Sequence, residues 1–238
     1  MPSLSLAHRH AAYFAPAPDS AAWQLGVQWL GRCPHSGQNL AQPVPEFWEP
    51  AAFAQITREP RRYGWHATLK APFALATHSS PMDLRACFVE VAAAVKVPIV
   101  LDVELAQVGN FLALVPRQRC TSLHGLADAC VRQLHPCAAP LPPSEIARRR
   151  GCGLTVRQED MLAQWAYPYV FEDFAFHITL TGALDALSAE QSQHLRQHAR
   201  AWFEPLLSQG LRVDGLSWFV EDQPGADFRW VERFGFAL

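Results

Sequence analysis

Charge is scarce in this chain and nearly balanced. Only 18% of the 238 residues are Asp, Glu, Lys or Arg, and the formal net charge is −2. A protein that coats long nucleic acid carries a strongly basic field, so this balance points to a small or local ligand instead. Long apolar runs are missing as well, since no segment approaches the roughly 18 residues a membrane span needs. The N-terminal stretch "MPSLSLAHRHAAYFAPAP" has neither a basic leader nor a sustained apolar region. The six cysteines (Cys33, Cys87, Cys120, Cys130, Cys137, Cys152) form no C-x-x-C pair and no zinc-ribbon spacing. They read as free thiols in a reducing compartment. The expectation is a soluble cytoplasmic protein with no membrane partner. There is no Walker loop, no G-x-G-x-x-G and no G-x-S-x-G, so none of those signatures supplies a nucleotide site or a nucleophile elbow.

What the chain does hold is apolar residues, 50% of the total, ample for a packed core and too many for disorder. Strand-like and helix-like segments alternate along the sequence. Capping residues open helices at Asp19 or Ser20, at Pro81 with Asp83, and at Thr121 or Ser122, and Gly109-Asn110 marks a turn between two strands. A long amphipathic helix is expected from Ser188 to about Leu207. A proline- and glycine-rich connection, "PCAAPLPPSEIARRRGCG" at about 136–153, separates two similar halves. This pattern gives an α+β class with residues 1–238 as one bilobal domain.

Each half contains one strand of unusual make-up. In "RRYGWHATLKAPF", with the strand at about 64–70, Trp65, Ala67 and Leu69 alternate with His66, Thr68 and Lys70. Successive strand side chains point to opposite faces, so one face is apolar and the other is a row of polar groups. In "DFAFHITLTGAL", with the strand at about 174–181, Phe176, Ile178 and Leu180 alternate with His177, Thr179 and Thr181. The shared text is H-x-T-L, repeated 111 residues later, from 66 to 177. With 10 His, 7 Thr and 27 Leu, composition alone gives roughly 0.03 such strings per chain. Two copies would arise in about one chain in 2,000. Two buried histidines bonded to backbone are the competing reading, and the matched context of both strands weighs against it.

The chemistry that uses such a pair is transfer at phosphorus. One group removes a proton from the attacking oxygen, and another protonates the leaving oxygen. Histidine serves either role near neutral pH. A threonine two residues on faces the same way and can donate to a non-bridging phosphate oxygen. Two such strands face to face would hold one phosphate between two His-Thr pairs, with no metal and no cofactor required.

These residues resemble the 2H phosphoesterase superfamily, defined by two H-x-[ST]-x motifs in pseudo-symmetric lobes. The closest likeness is to the branch of unknown function associated with bacterial phosphonate metabolism. It rests on "RRYGWHATLKAPF", "EIARRR", "YPYVFEDFAFHITLTGAL" and the "EDQPGA" loop, and it covers nearly the whole chain. The resemblance implies two lobes of antiparallel sheet with outer helices around a central cleft. It also implies that His66 and His177 are catalytic and that Thr68 and Thr179 bind phosphate. Members of the superfamily hydrolyse cyclic phosphates or 2′,5′-linked nucleotides, and some join RNA ends. The expected activity is metal-independent hydrolysis of a small cyclic phosphate, such as a phosphoribosyl cyclic phosphate. An RNA-end phosphodiesterase or ligase, and a non-catalytic module for a phosphorylated ligand, are the alternatives.

Other residues carry weaker signals. Lys70 could offset phosphate charge, and Tyr63 could lie over a sugar or base; both join the expected substrate-binding set. Arg148, Arg149 and Arg150 could grip a second phosphate if the connection folds over the cleft, or simply complement a helix C-terminus. His194 and His198 share a helix face but lack a third ligand, so no metal site is expected there.

Overall fold

A computed structural model describes residues 7–151 and 153–237; Cys152, one of the expected free thiols, lies outside the described residues. The elements run β1 (Arg9–Phe14), α1 (Ala21–Leu30), α2 (Pro50–Tyr63), β2 (Ala67–Phe73), α3 (Pro81–Ala94), β3 (Ile99–Leu101), β4 (Val103–Val108) and β5 (Phe111–Pro116). The order continues with α4 (Thr121–Leu134), α5 (Pro143–Arg150), α6 (Val156–Trp165), β6 (Ile178–Thr179), α7 (Ala189–Trp202), α8 (Glu204–Gln209), β7 (Leu211–Val213), β8 (Gly215–Glu221) and β9 (Arg229–Gly235). The class is α+β, as the alternation indicated. Seven strands form one antiparallel sheet in the order β4-β5-β6-β2-β1-β8-β9, and β3 pairs with β7 alone. The two H-x-T-L segments therefore supply the neighbouring central strands, β2 and β6. They meet at a single pair, Ala67 with Ile178, which is the seam between a three-strand and a four-strand half.

Local signals account for most boundaries. Ser20 caps α1 by accepting the Trp23 amide, and Ser80 and Asp83 close a capping box on α3. Ser188 and Gln191 form another on α7. The long helix expected after Ser188 is broken at Phe203 into α7 and α8. Pro205 explains this, because its ring lacks an N–H and would crowd the carbonyl four residues back.

The apolar faces of the repeated strands are core. Trp65, Ala67 and Leu69 are buried, as are Phe176, Ile178 and Leu180. Trp65 stacks on Phe203 at 5.2 Å and packs so closely on α1 that a Cβ on Gly26 would fall 1.9 Å from its ring. The first repeated strand is thereby anchored from behind by an indole that no larger residue at Gly26 would admit.

The second strand is shorter than its sequence suggested. Only Ile178 and Thr179 hold regular ladder geometry. Beyond them the Leu112 amide donates to the Thr181 hydroxyl, and the Gly182 amide turns to the Ile56 carbonyl. Thr181 is wholly buried in this role.

Candidate active site

The seam fixes the geometry of the four repeated polar residues. In an antiparallel ladder, pairing Ala67 with Ile178 sets His66 opposite Thr179 and Thr68 opposite His177. All four then stand on the face opposite the buried Ala67 and Ile178. Directly opposed Cβ atoms lie roughly 5 Å apart and diagonal ones roughly 7–8 Å. The two histidines occupy a diagonal, a spacing that leaves room for one tetrahedral phosphate between them. Consistent with this, His66, Thr68, His177 and Thr179 all line one cleft of roughly 530 Å³.

The imidazoles are oriented by the same local device. His66 Nδ1 lies 2.9 Å from the Gly64 carbonyl, and His177 Nδ1 lies 2.8 Å from the Ala175 carbonyl. A carbonyl only accepts, so Nδ1 carries the proton in both rings. The bare nitrogen of each neutral ring is then Nε2. Thr68 Oγ1 lies 3.4 Å from His66 Nε2, long for a hydrogen bond. Gly64 makes the His66 contact possible, since its φ of +82° is one that side chains avoid and a Cβ there would meet Pro34 at 2.8 Å.

The environments of the two rings differ. The His66 ring packs 3.9 Å from the Tyr13 ring, centroid to centroid, with Tyr63 at 6.0 Å. His177 has Phe111 at 5.8 Å. Burial pushes the His66 imidazole down to about 4; the Gly64 carbonyl opposes this shift, and the neighbouring His177 adds to it. His66 is neutral at pH 7.

Tyr63 borders the cleft, its ring stacked on Phe228 and its hydroxyl accepting from Arg62 at 3.3 Å. Lys70 does not join the tetrad. The β1–β2 register slips between Tyr13↔Thr68 and Ala12↔Lys70, so one step in β1 spans two in β2. This bulge breaks the alternation just after Thr68. A second slip before Phe73 carries the strand across Pro72 to Phe73, past the expected end at about residue 70. Lys70 is 5% exposed, with its ammonium 5.1 Å from the Phe73 ring, and it lines an adjoining apolar cavity. Burial drives its pKa from 10.5 down to about 8, opposed by the nearby Cys130 and Cys137. The folded state therefore binds this proton more weakly than the unfolded chain does. The cost is fully present below pH 8 and disappears as pH rises toward 10.5. Lys70→Met should raise the thermal midpoint at pH 7 by about 3–8 °C, with a smaller gain at pH 10. A lower midpoint at pH 7 would mean that the ammonium has a favourable partner.

Sequence reasoning missed Tyr13 and Arg9. Both lie in β1, and only the pairing of β1 with β2 brings Tyr13 opposite Thr68. Arg148 and Arg149 reach the cleft, whereas Arg150 pairs outside it with Glu159 at 2.8 Å. The "EDQPGA" loop has a structural duty. Its first residue, Glu221, is fully buried and bonded by Arg9, Arg62 and the Gly225 amide. Among the described residues no three His, Cys, Asp or Glu side chains converge as a metal site, and no helix is long and apolar enough to cross a membrane. Cys33, Cys87, Cys120, Cys130 and Cys137 are free thiols.

Comparison with known proteins places these features in context. Residues 68–229 match a family model described as a protein of unknown function, DUF1045. The chain is 36% identical over 230 residues to a protein of Janthinobacterium sp. (strain Marseille) named ribose 1,5-bisphosphate phosphokinase PhnN, covering 96% of this chain and 51% of that protein. It is 38% identical over 221 residues to a protein of the same name from Laribacter hongkongensis (strain HLHK9), covering 93% and 50%. The chain thus spans about half the length of these curated relatives. Among solved structures, E. coli LigT complexed with 3′-AMP aligns over 97% of this chain and 99% of that one, at 13% identity and a TM-score of 0.45. A structure described as a phosphoesterase aligns over 97% and 99%, at 15% identity and a TM-score of 0.43.

Proposed function

The chain belongs to the DUF1045 family, whose description assigns no activity, and from its site we propose that it is a phosphodiesterase that opens a small cyclic phosphate by paired histidine acid–base catalysis. The observation that carries this reading is the His-Thr tetrad across the β2–β6 seam, with both Nδ1 protons tied to backbone carbonyls. The phosphate sits between Thr68 and Thr179, whose hydroxyls donate to its non-bridging oxygens. His66 is the base, because burial keeps it neutral and its Nε2 lone pair faces the cleft. It takes a proton from water as the water oxygen bonds to phosphorus. His177, in its protonated form, donates from Nε2 to the leaving oxygen as the old P–O bond breaks. The products are a phosphate monoester and a free hydroxyl; His66 then gives its proton to solvent and His177 takes one up, which resets both rings.

The substrate we favour is a phosphoribosyl cyclic phosphate. Opening its ring leaves a ribose bisphosphate, and the relatives are named for a kinase acting on ribose 1,5-bisphosphate. This chain has no Walker loop, so we assign ring opening to the half it matches and phosphorylation to the other. The near-neutral charge fits a small phosphorylated substrate without an extended nucleic acid partner.

A turnover assay over a panel of cyclic phosphates, including 2′,3′-cyclic nucleotides, tests this reading. A ribosyl ring phosphate should be the best substrate, and activity should survive EDTA because two imidazoles supply both proton transfers. Preference for the nucleotides would favour an RNA-end enzyme; no turnover of any ring would leave a binding module. Thr68→Val and Thr179→Val keep the shape and remove one donor each. Each should lower kcat/KM by roughly 10- to 100-fold, the value of a charge-assisted hydrogen bond. Unchanged kinetics would remove the threonines from the phosphate site.

A further inference from the structure

The cleft has a cationic wall that the ring-opening chemistry does not use. Arg149, on α5, has a side chain only 12% exposed, and its guanidinium lies 5.1 Å over the Tyr167 ring. Its Nε is buried without a hydrogen-bond partner. The nearest carboxylate, Glu145, stands 3.9 Å away and is already held by Arg148 through contacts of 2.8 and 3.3 Å. Across the wall, Arg9 shares the single carboxylate of Glu221 with Arg62. Two guanidinium groups are thus left with less than one counter-charge each, at the edge of the cleft that holds both histidines. Holding such groups half-buried side by side costs free energy unless an anion joins them. The tyrosines add directed donors. Tyr63, whose hydroxyl oxygen accepts from Arg62, is left with its own proton to give.

Resting on the ring-opening reading, we infer that Arg149 and Arg9, with the Tyr63 and Tyr167 hydroxyls, form a second anion subsite that binds a phosphate monoester elsewhere on the same substrate. The arginine fork suits the planar faces of a phosphate better than a lone ammonium would. The preferred substrate then carries two phosphorus centres: a strained cyclic diester at the histidines and a dianionic monoester at the arginines. Arg149 is a specificity residue on this account, because it touches the substrate far from the bond that breaks.

Two measurements test the subsite separately from the chemistry. In the first, kcat/KM is compared for a ribosyl cyclic phosphate with and without a 5-phosphate. The wild type should favour the phosphorylated ring by about 100-fold, and Arg149→Met should cut that preference by at least tenfold, with Arg149→Lys between them. A preference that Arg149→Met leaves intact overturns the subsite, even if both rates fall. In the second, ribose 5-phosphate, which has a monoester and no ring phosphate, is titrated calorimetrically into the His66→Ala/His177→Ala protein. It should bind there, and at least tenfold more weakly once Arg149→Met is added. Equal binding by the two proteins overturns the subsite whether or not any ring is ever turned over. Turnover without 5-phosphate discrimination would sink the subsite alone, and discriminating binding without turnover would sink only the ring-opening reading.

Discussion

His66→Ala and His177→Ala should each lower kcat on the best cyclic phosphate by about 10²–10⁴-fold, the usual contribution of a general acid or base. The double replacement should lose far less than the product of the two single losses. Once one proton transfer is left to water, the remaining imidazole has no partner step to assist, and groups that act as a unit are not additive. All three proteins should fold, because the tetrad faces a cleft while Ala67, Ile178 and their neighbours form the core behind it. Kinetics on proteins of unchanged thermal midpoint check this. Near wild-type turnover by either single variant would reduce the repeated strand to scaffolding.

The same roles fix the pH dependence. His66 must be neutral to act, and burial holds its pKa at about 4. kcat/KM should therefore climb tenfold per pH unit below about pH 4 and level off above it, with any descending limb belonging to the general acid. The limbs belong to a coupled pair. His177 adds to the lowering of His66, so in His177→Ala the residual activity should keep its acid limb, moved upward. A profile that rises through pH 6–7 in the wild type would show that the base is a solvated imidazole and not His66.

Much of this site was legible because strand alternation is a local rule. Period two, applied to "WHATLK" and "FHITLT", separates core from cleft residues without knowledge of the fold, and Trp65, Ala67, Leu69, Phe176, Ile178 and Leu180 are all buried accordingly. Lys70 marks where the rule stopped. The bulge that turns it away depends on how β2 meets β1, which no property of β2 alone reveals. Tyr13 and Arg9 were invisible for the same reason, since their relation to His66 passes through strand pairing 53 and 57 positions away in sequence. The unequal surroundings of the two histidines were hidden too. Identical motifs look interchangeable on paper, and only the aromatic packing of Tyr13 and Tyr63 around one ring tells the two imidazoles apart. Arg149 lay between these cases, since its basic run was plain but its reach into the cleft depends on where α5 folds back.

The central claim is that one phosphate touches both imidazoles through Nε2, and histidine-labelled nitrogen NMR tests it most directly. The spectrum of free protein at pH 7 should show Nδ1 protonated and Nε2 bare in His66, the tautomer fixed by the Gly64 carbonyl. Adding inorganic phosphate to saturation should shift the Nε2 signals of His66 and His177 together, along one binding curve. The Nδ1 signals should move little, because those protons stay on Nδ1, donated to the Gly64 and Ala175 carbonyls. Shifts confined to one ring, or two curves with different midpoints, would contradict a shared phosphate and with it the paired acid–base mechanism.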